Sequence, residues 1–148
     1  MEEKILVSAC LAGQNCRWDG GNNLVPEIKK LVECNHAITV CPEMLGGLPT
    51  PRNPSERFQD RVVNNVGDDV TAQFCMGAEE ALRICNENGC KQAILKSKSP
   101  SCGKGVIHNG LFDGELIFGN GVAAQLLIDH GIEVLTEQEW LVSHGISY

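Results

Sequence analysis

The sequence predicts a single-domain α/β fold over residues 1–148, a Rossmann-like three-layer arrangement in which a mostly parallel sheet carries helices on both faces. Short apolar runs alternate along the chain with segments of helical periodicity, which is the pattern of repeated βαβ units. Most of these runs lack polar alternation, as do strands that are buried on both faces. A chain of 148 residues with 43% hydrophobic content can also bury one substantial core.

Four short apolar runs are the predicted strands, and four other segments are the predicted helices. The strands cover residues 4–8, 37–40, 92–96 and 132–135. The helices cover residues 24–34, 68–88 and 122–130, and a last short helix begins at Thr136. Thr136 and Glu139 have the spacing of a capping box, in which the side chain of each residue accepts a hydrogen bond from the backbone N–H of the other.

Segments rich in glycine and proline connect these elements. They cover residues 13–23, 42–54 and 97–121. The last one contains Asn109-Gly110 and Asp113-Gly114, which favour tight turns because glycine reaches positive φ without steric cost. We therefore expect a small hairpin in this segment.

The composition excludes several classes of partner. With 19 acidic and 12 basic residues the net charge is -7, which repels a nucleic-acid polymer and provides no basic patch for a membrane. No apolar run approaches the roughly 18 residues of a membrane span, and Met1 to Lys4 do not resemble the start of a signal peptide. We therefore expect a cytoplasmic protein whose partner is a small molecule.

The chain has eight cysteines, which fit either a disulfide framework or reduced thiols that serve metal binding or catalysis. The lack of a recognisable signal peptide favours the reduced form. Free cysteine is also a common small core residue. We expect that role for four of the eight, namely Cys34, Cys75, Cys85 and Cys90.

Three other cysteines fall where predicted strands end. Cys10 follows the first strand, Cys41 directly follows the second, and Cys102 lies in the loop after the third. Because the carboxyl ends of parallel strands share one rim of the sheet, we expect these thiols to meet there. Three thiolates would leave one iron of a four-iron cluster, or one position on a zinc ion, open to a substrate. The spacing contains no C-x₂-C pair and does not choose between the two metals.

The cysteine loops also carry polar groups suited to catalysis. Glu43 follows Cys41 by two residues, a position from which a carboxylate could transfer a proton, although it could equally be a solvated turn residue. The first loop adds Cys16, Arg17 and Asp19, and the last adds Ser99, Ser101 and Lys104. Arg17, Arg52 and Lys104 could bind an anion, but surface ion pairs are the more common role for such cations.

Several motifs together resemble the bacterial family known as domain of unknown function 523, which is related to thiouracil desulfidase. The likeness spans nearly the whole chain. Its motifs are the segment of residues 5–11, Cys16-Arg17-Trp18-Asp19-Gly20, Cys41-Pro42-Glu43 with the glycine- and proline-rich residues 46–52, residues 67–71, Ala93-Ile94-Leu95-Lys96, and Ser99-Pro100-Ser101-Cys102-Gly103. In this chain His108-Asn109 stands where a Tyr-Asp pair often precedes the glycine of the family motif.

The resemblance implies a [4Fe-4S] cluster that is held by Cys10, Cys41 and Cys102 and removes sulfur from thiolated pyrimidine bases. It also implies a role for Ser99 beside the cluster. We expect a non-redox reaction in which the thiocarbonyl sulfur binds the open iron. Glu43, or alternatively Asp19, would activate water or move protons, and Ser99 with Ser101 would orient the substrate or the water.

Two other functions remain open on the sequence. The same three cysteines could belong to a noncatalytic carrier of iron-sulfur clusters or metal. A thiol redox protein could instead form a disulfide between Cys10 and Cys16, although no C-x-x-C motif is present to lower a thiol pKa. Cys16 could also be a spare ligand or a small core residue.

Overall fold

The computed structural model describes residues 3–145 of the chain. Met1 and Glu2, which entered the expectation about a signal peptide, lie outside these residues, as do residues 146–148. The strands are β1 (Ile5–Ser8), β2 (Ala37–Val40), β3 (Ser55–Phe58), β4 (Arg61–Asn64), β5 (Gln92–Leu95), β6 (Val106–His108), β7 (Leu116–Phe118) and β8 (Glu133–Thr136). The helices are α1 (Pro26–Glu33), α2 (Pro42–Leu45), α3 (Thr71–Glu87), α4 (Val122–Asp129) and α5 (Glu137–Ser143), with a 3₁₀ turn at Ala9–Ala12 after β1.

The four predicted strands form one parallel sheet in the order β2-β1-β5-β8. The register pairs Ser8 with Val40, so β1 and β2 end level with each other. From β1 the chain first adds β2 on one side and later returns to add β5 on the other. In an open parallel sheet this reversal creates a crevice at the carboxyl ends of the strands, where ligands bind.

Helices cover both faces of the sheet, which confirms the predicted fold class. On one face α3 and α4 bury Cys85 and Leu127 against Leu6 and Leu95. On the other face α1 and α5 bury Ile28 and Trp140 against Val7 and Ile94, among other apolar residues. These two layers explain why the central strands are apolar on both sides.

The predicted helix starts are close but not correct in two cases. Helix α1 begins at Pro26 rather than at residue 24, because proline suits the first helical turn, where its missing N–H has no intrahelical partner. Helix α3 begins at Thr71 rather than at residue 68, and Asp69 accepts a hydrogen bond from the Thr71 backbone N–H there. The predicted capping box of Thr136 and Glu139 at α5 is confirmed.

Two antiparallel hairpins stand outside the main sheet. Strands β6 and β7 form the predicted hairpin, with Gly110 and Gly114 at positive φ in the connection. Strands β3 and β4 form a second hairpin that the sequence did not predict. The two hairpins contact each other through β3 and β6. No helix within residues 3–145 is both long and apolar enough to cross a membrane.

Helix α2, also not predicted, is held against α3 by direct contact of their backbones. A Cβ atom on Gly77 would lie 1.7 Å from the carbonyl oxygen of Pro42, and one on Gly46 would lie 1.9 Å from that of Gln73. Any side chain at these positions would force the helices apart. The two glycines therefore fix the position of α2, and with it the residues at its N-terminus.

Candidate active site

Three loops bring three cysteines to one rim of the sheet. Cys10 lies in the 3₁₀ turn after β1, Cys41 lies between β2 and α2, and Cys102 lies in the segment after β5. All three line one pocket of about 400 Å³, a volume within the range of small-molecule sites. The structure thus brings together the three thiols that the sequence places at strand ends.

Cys16 adds a fourth thiol to the same pocket, and its side chain interacts with the thiols of both Cys10 and Cys41. The hydrogen bond from Cys16 is the largest influence on both neighbours. It lowers the pKa of Cys10, and it lowers the pKa of Cys41 to about 6, with further help from the Met44 backbone N–H and Arg52. The pKa of Cys16 is raised because its proton is shared with these two sulfurs. Cys16 therefore acts as a thiol donor that favours the thiolate forms of both neighbours.

Cys102 has the opposite environment. Its complete burial raises the pKa of its thiol to about 12, against weaker lowering effects from the hydroxyls of Ser8 and Ser101. The negative sulfurs of Cys10 and Cys41 raise its pKa further. A thiol must lose its proton to bind a metal, and the positive charge of the metal then replaces the proton.

The loop that carries Cys102 is organised by Ser99. Its hydroxyl oxygen accepts hydrogen bonds from the backbone N–H groups of Ser101 at 3.1 Å and Cys102 at 3.0 Å. A Cβ atom on Gly103 would lie 2.6 Å from the Ser99 carbonyl oxygen, so the turn closes only around glycine. This arrangement fixes the direction of the Cys102 side chain.

A chain of hydrogen bonds connects this loop to α2. The hydroxyl of Ser101 donates to Oε2 of Glu43 at 2.9 Å, and it lies 3.0 Å from the hydroxyl of Ser99. Because Ser101 has one hydroxyl proton and directs it to the carboxylate, Ser99 must donate its own proton to Ser101. The chain therefore runs from Ser99 through Ser101 to Glu43.

Arg52 holds the other oxygen of the Glu43 carboxylate. Its Nε donates to Oε1 at 2.9 Å, and the side chains of Arg52 and Glu43 are only 7% and 15% exposed. The same guanidinium donates to the carbonyl oxygens of Cys16 at 2.9 Å and Pro49 at 3.1 Å and to the hydroxyl of Thr50 at 2.9 Å. Arg52 thus ties Glu43 to the loop that carries Cys16, and it is not one of the ordinary surface pairs expected for such a cation.

Two other polar residues from the cysteine loops, Asp19 and Lys104, lie away from the pocket. Asp19 is exposed, binds Nη2 of Arg17 at 2.8 Å, and does not line the pocket. Lys104 pairs with Glu139 at 3.0 Å on the surface. Arg17 does line the pocket, through a side chain that also contacts Asn23. Of the two carboxylates considered for catalysis, the structure brings only Glu43 to the thiols.

The cysteines expected in the core divide into two groups. Cys85 and Cys90 are buried as expected, and the thiol of Cys85 contacts the carbonyl oxygen of Cys90 at 3.5 Å. Cys34 and Cys75 are exposed instead, because they lie on the outer sides of the segments that contain them. None of these four lines the pocket.

The thiols of the pocket suit an iron-sulfur cluster, because cysteine thiolates are the usual ligands of such clusters. Within residues 3–145 no group of three His, Cys, Asp or Glu side chains lies close enough to hold one metal ion. A cluster binds each cysteine through a different iron and so needs thiols that are spread around a pocket. Lys96 also lines the pocket, and its positive charge lowers the pKa of Cys10.

Two further pocket residues escaped the sequence analysis as functional groups. Lys96 is held at the rim by the buried carboxylate of Glu137, whose Oε2 lies 3.4 Å from Nζ. His108 projects from β6 and lines the same pocket. The only signals in the sequence were the position of Lys96 after a strand and the departure from the family motif at His108.

Comparisons with known proteins agree on one family. Residues 5–139 match the model of the 2-thiouracil desulfurase family. The uncharacterised protein YbbK of Bacillus subtilis (strain 168) is 42% identical, over 91% of this chain and 96% of its own length. A solved structure of the [4Fe-4S]-dependent thiouracil desulfidase TudS superposes with a TM-score of 0.88 at 45% identity, covering 97% of this chain and 99% of that one.

Proposed function

This chain belongs to the 2-thiouracil desulfurase family, and from that premise we propose that it is a [4Fe-4S]-dependent desulfidase of small thiolated compounds such as thiolated pyrimidine bases. Water replaces the sulfur of a thiocarbonyl group, which leaves a carbonyl product and hydrosulfide. Of the two protons that leave the water, one ends on the hydrosulfide and the other is released to solvent, and neither the substrate carbon nor the sulfur changes its oxidation state. The reaction therefore needs proton transfer but no external electron donor.

Cys10, Cys41 and Cys102 hold the cluster in this proposal. When bound, the cluster supplies a Lewis-acidic iron without a protein ligand, which polarises the thiocarbonyl group. Cys16 keeps its proton and donates to the sulfurs of Cys10 and Cys41, an assignment supported by the lowered pKa of both partners. This role explains a fourth thiol at a site that needs three thiolates.

Glu43 is the general base, and its contacts with the two serines and Arg52 are the observation that carries the proposal. The carboxylate stands in the wall of the cysteine pocket and accepts the Ser101 proton at 2.9 Å. A water molecule bound beside it can pass a proton to the carboxylate as it attacks the substrate carbon. The two serine hydroxyls orient that water, and they can return the proton to the leaving sulfur.

Arg52 positions Glu43 for this task. One guanidinium N–H holds Oε1, which leaves Oε2 directed at Ser101 and the pocket. A noncatalytic carrier requires only the thiols. It does not require a carboxylate such as that of Glu43, which Arg52 and Ser101 hold in one orientation. The cytoplasmic location and the absence of a nucleic-acid polymer as partner stay predictions.

The test is anaerobic reconstitution of the protein with iron and sulfide, followed by measurement of hydrosulfide and uracil released from 2-thiouracil. We expect the two products in equal amounts, and only from protein that carries the cluster. A protein that binds the cluster but converts none of several thiolated pyrimidines would be a carrier. A colourless protein with one stoichiometric zinc would contradict the cluster itself.

A further inference from the structure

His108 lies in the part of the pocket wall that the two hairpins form. Strands β3 and β6 contact each other there, and Ser55, Glu56 and His108 line the cavity from this side. The three cysteines and Glu43 come from the rim of the sheet. A small molecule that fills the pocket would therefore contact both the thiols and the hairpin residues.

The imidazole of His108 has an unused polar atom. Its Nδ1 is buried, and within the described part of the chain it has no hydrogen-bond partner. Buried polar atoms in native proteins are almost always paired, because the loss of hydration without a new bond is unfavourable. Because His108 also lines the cavity, a ligand bound there can supply the missing partner.

Other polar groups of the pocket are already occupied. Glu43 bonds Arg52 and Ser101, and the ammonium group of Lys96 contacts Ser97 and Glu137. These contacts fix the directions of the Glu43 and Lys96 side chains, and they leave fewer hydrogen-bonding positions free for a ligand. His108, in contrast, can rotate its ring about the soft Cβ–Cγ torsion and turn Nδ1 toward the cavity.

We propose that His108 determines substrate specificity by hydrogen bonding a second polar group of the substrate ring, on the side remote from the thiocarbonyl that reacts. This inference rests on the proposed desulfidase function. Its substrate class is a thiolated heterocycle that carries a carbonyl or ring N–H in addition to the reacting sulfur. Imidazole serves either case, because its nitrogen donates or accepts according to the tautomer.

The hydrogen bond makes the site selective against analogues that lack the second polar group. A site built around a buried hydrogen bond rejects a ligand that leaves its own polar group unpaired. Uracil, the product of 2-thiouracil, has a second carbonyl and an adjacent N–H, whereas pyrimidin-2-one lacks both. Comparing the binding affinities of the two compounds therefore measures the contribution of His108 without any chemical reaction.

The test compares their binding to reconstituted wild type, His108→Phe and His108→Asn by anaerobic calorimetry. Phe keeps a ring but removes both nitrogens, and Asn returns an amide near the position of Nδ1. We expect His108→Phe to weaken uracil binding by at least about fivefold, the loss of one hydrogen bond. Pyrimidin-2-one should bind the three proteins alike, and His108→Asn should recover part of the uracil affinity.

Three results would overturn the inference: no uracil binding by wild type, unchanged uracil binding by His108→Phe, or equal loss of both ligands in that variant. Iron and sulfide content, measured for each protein, separates these outcomes from loss of the cluster. Failure of wild type to release hydrosulfide from 2-thiouracil would contradict the desulfidase proposal instead. The uracil titrations remain informative about His108 in that case, because they involve no reaction.

Discussion

The hydroxyl of Ser101 donates a hydrogen bond at 2.9 Å to the carboxylate of Glu43, although 58 residues separate them in the sequence. This contact joins the loop after β5 to the helix after β2. It places a proton acceptor and a proton donor at the wall of the pocket that four cysteines line.

Replacing Glu43 with Gln should reduce desulfuration by about 10²- to 10⁴-fold, the usual contribution of a general acid or base. The amide keeps the shape of the side chain and can still bond Arg52 and Ser101, so the cluster should remain. Hydrosulfide release and the visible absorption spectrum measure the two effects. Glu80→Gln is the control, since Glu80 pairs with Arg83 on the surface of α3. Full activity of Glu43→Gln would show that Glu43 takes no part in proton transfer.

Replacing Arg52 with Gln should lower both stability and activity. The change leaves Glu43, which is only 15% exposed, without its cation, and breaking a buried pair in this way costs about 3–5 kcal/mol. The Tm should fall accordingly, whereas Arg83→Gln in a surface pair should change it little. In a Glu43→Gln background the added loss of kcat should be small, because Arg52 acts through Glu43. Independent, additive losses would argue against that dependence.

Replacing Cys10, Cys41 or Cys102 with Ser should abolish retention of the cluster, as measured by iron and sulfide per chain. Cys34→Ser and Cys75→Ser should bind iron normally, because both side chains are exposed away from the pocket. Cys85→Ser should lower the Tm without loss of iron, since it puts a hydroxyl into the core. Loss of iron in the Cys85 variant with its fold intact would show that the ligands have been assigned incorrectly.

Cys41 in the cluster-free protein should be alkylated by iodoacetamide with a midpoint near pH 6. The thiolate is the reactive form, and the hydrogen bond from Cys16 is the main reason that the pKa is lowered to about 6. The rate should therefore rise as the pH increases through this value. Cys16→Ala should move the midpoint upward, toward that of an ordinary thiol. Mass spectrometry of the labelled peptide assigns the site, and an unchanged midpoint would contradict the role given to Cys16.

Replacing Gly77 with Ala distinguishes helix propensity from packing. Alanine is favoured over glycine within a helix by about 1 kcal/mol, which predicts a more stable protein. The new Cβ would lie 1.7 Å from the carbonyl oxygen of Pro42, which predicts that α2 moves and stability falls. We expect the second effect to win, with a lower Tm and weaker cluster binding. A raised Tm with normal iron content would show that α2 adapts freely.

The main sheet could be predicted because its strands are apolar on both faces and are separated by clear helical patterns. The position of the cysteines followed from the same reasoning, since the ends of parallel strands meet at one rim. Thr136 and Glu139 were also predictable because a capping box is a local interaction.

The β3–β4 hairpin could not be predicted because its strands, Ser55–Phe58 and Arg61–Asn64, mix charged and apolar residues without a regular alternation. Helix α2 is a single turn, and its position depends on contact with Gly77 far along the chain. The pairing of Arg52 with Glu43 depends on that placement. Sequence reasoning left Asp19 as an alternative base because spacing does not reveal which way a loop side chain points.

The three proposed cluster ligands, Cys10, Cys41 and Cys102, belong to separate connections, after β1, after β2 and after β5. During synthesis the ribosome must release the chain beyond Cys102, and β5 must join β1, before iron can meet a full set of ligands. Proteins with paired C-x₂-C ligands can capture metal on a short nascent peptide. With these ligands only a folded chain presents the full set of thiols to a cluster, whereas an unfolded chain presents separate thiols.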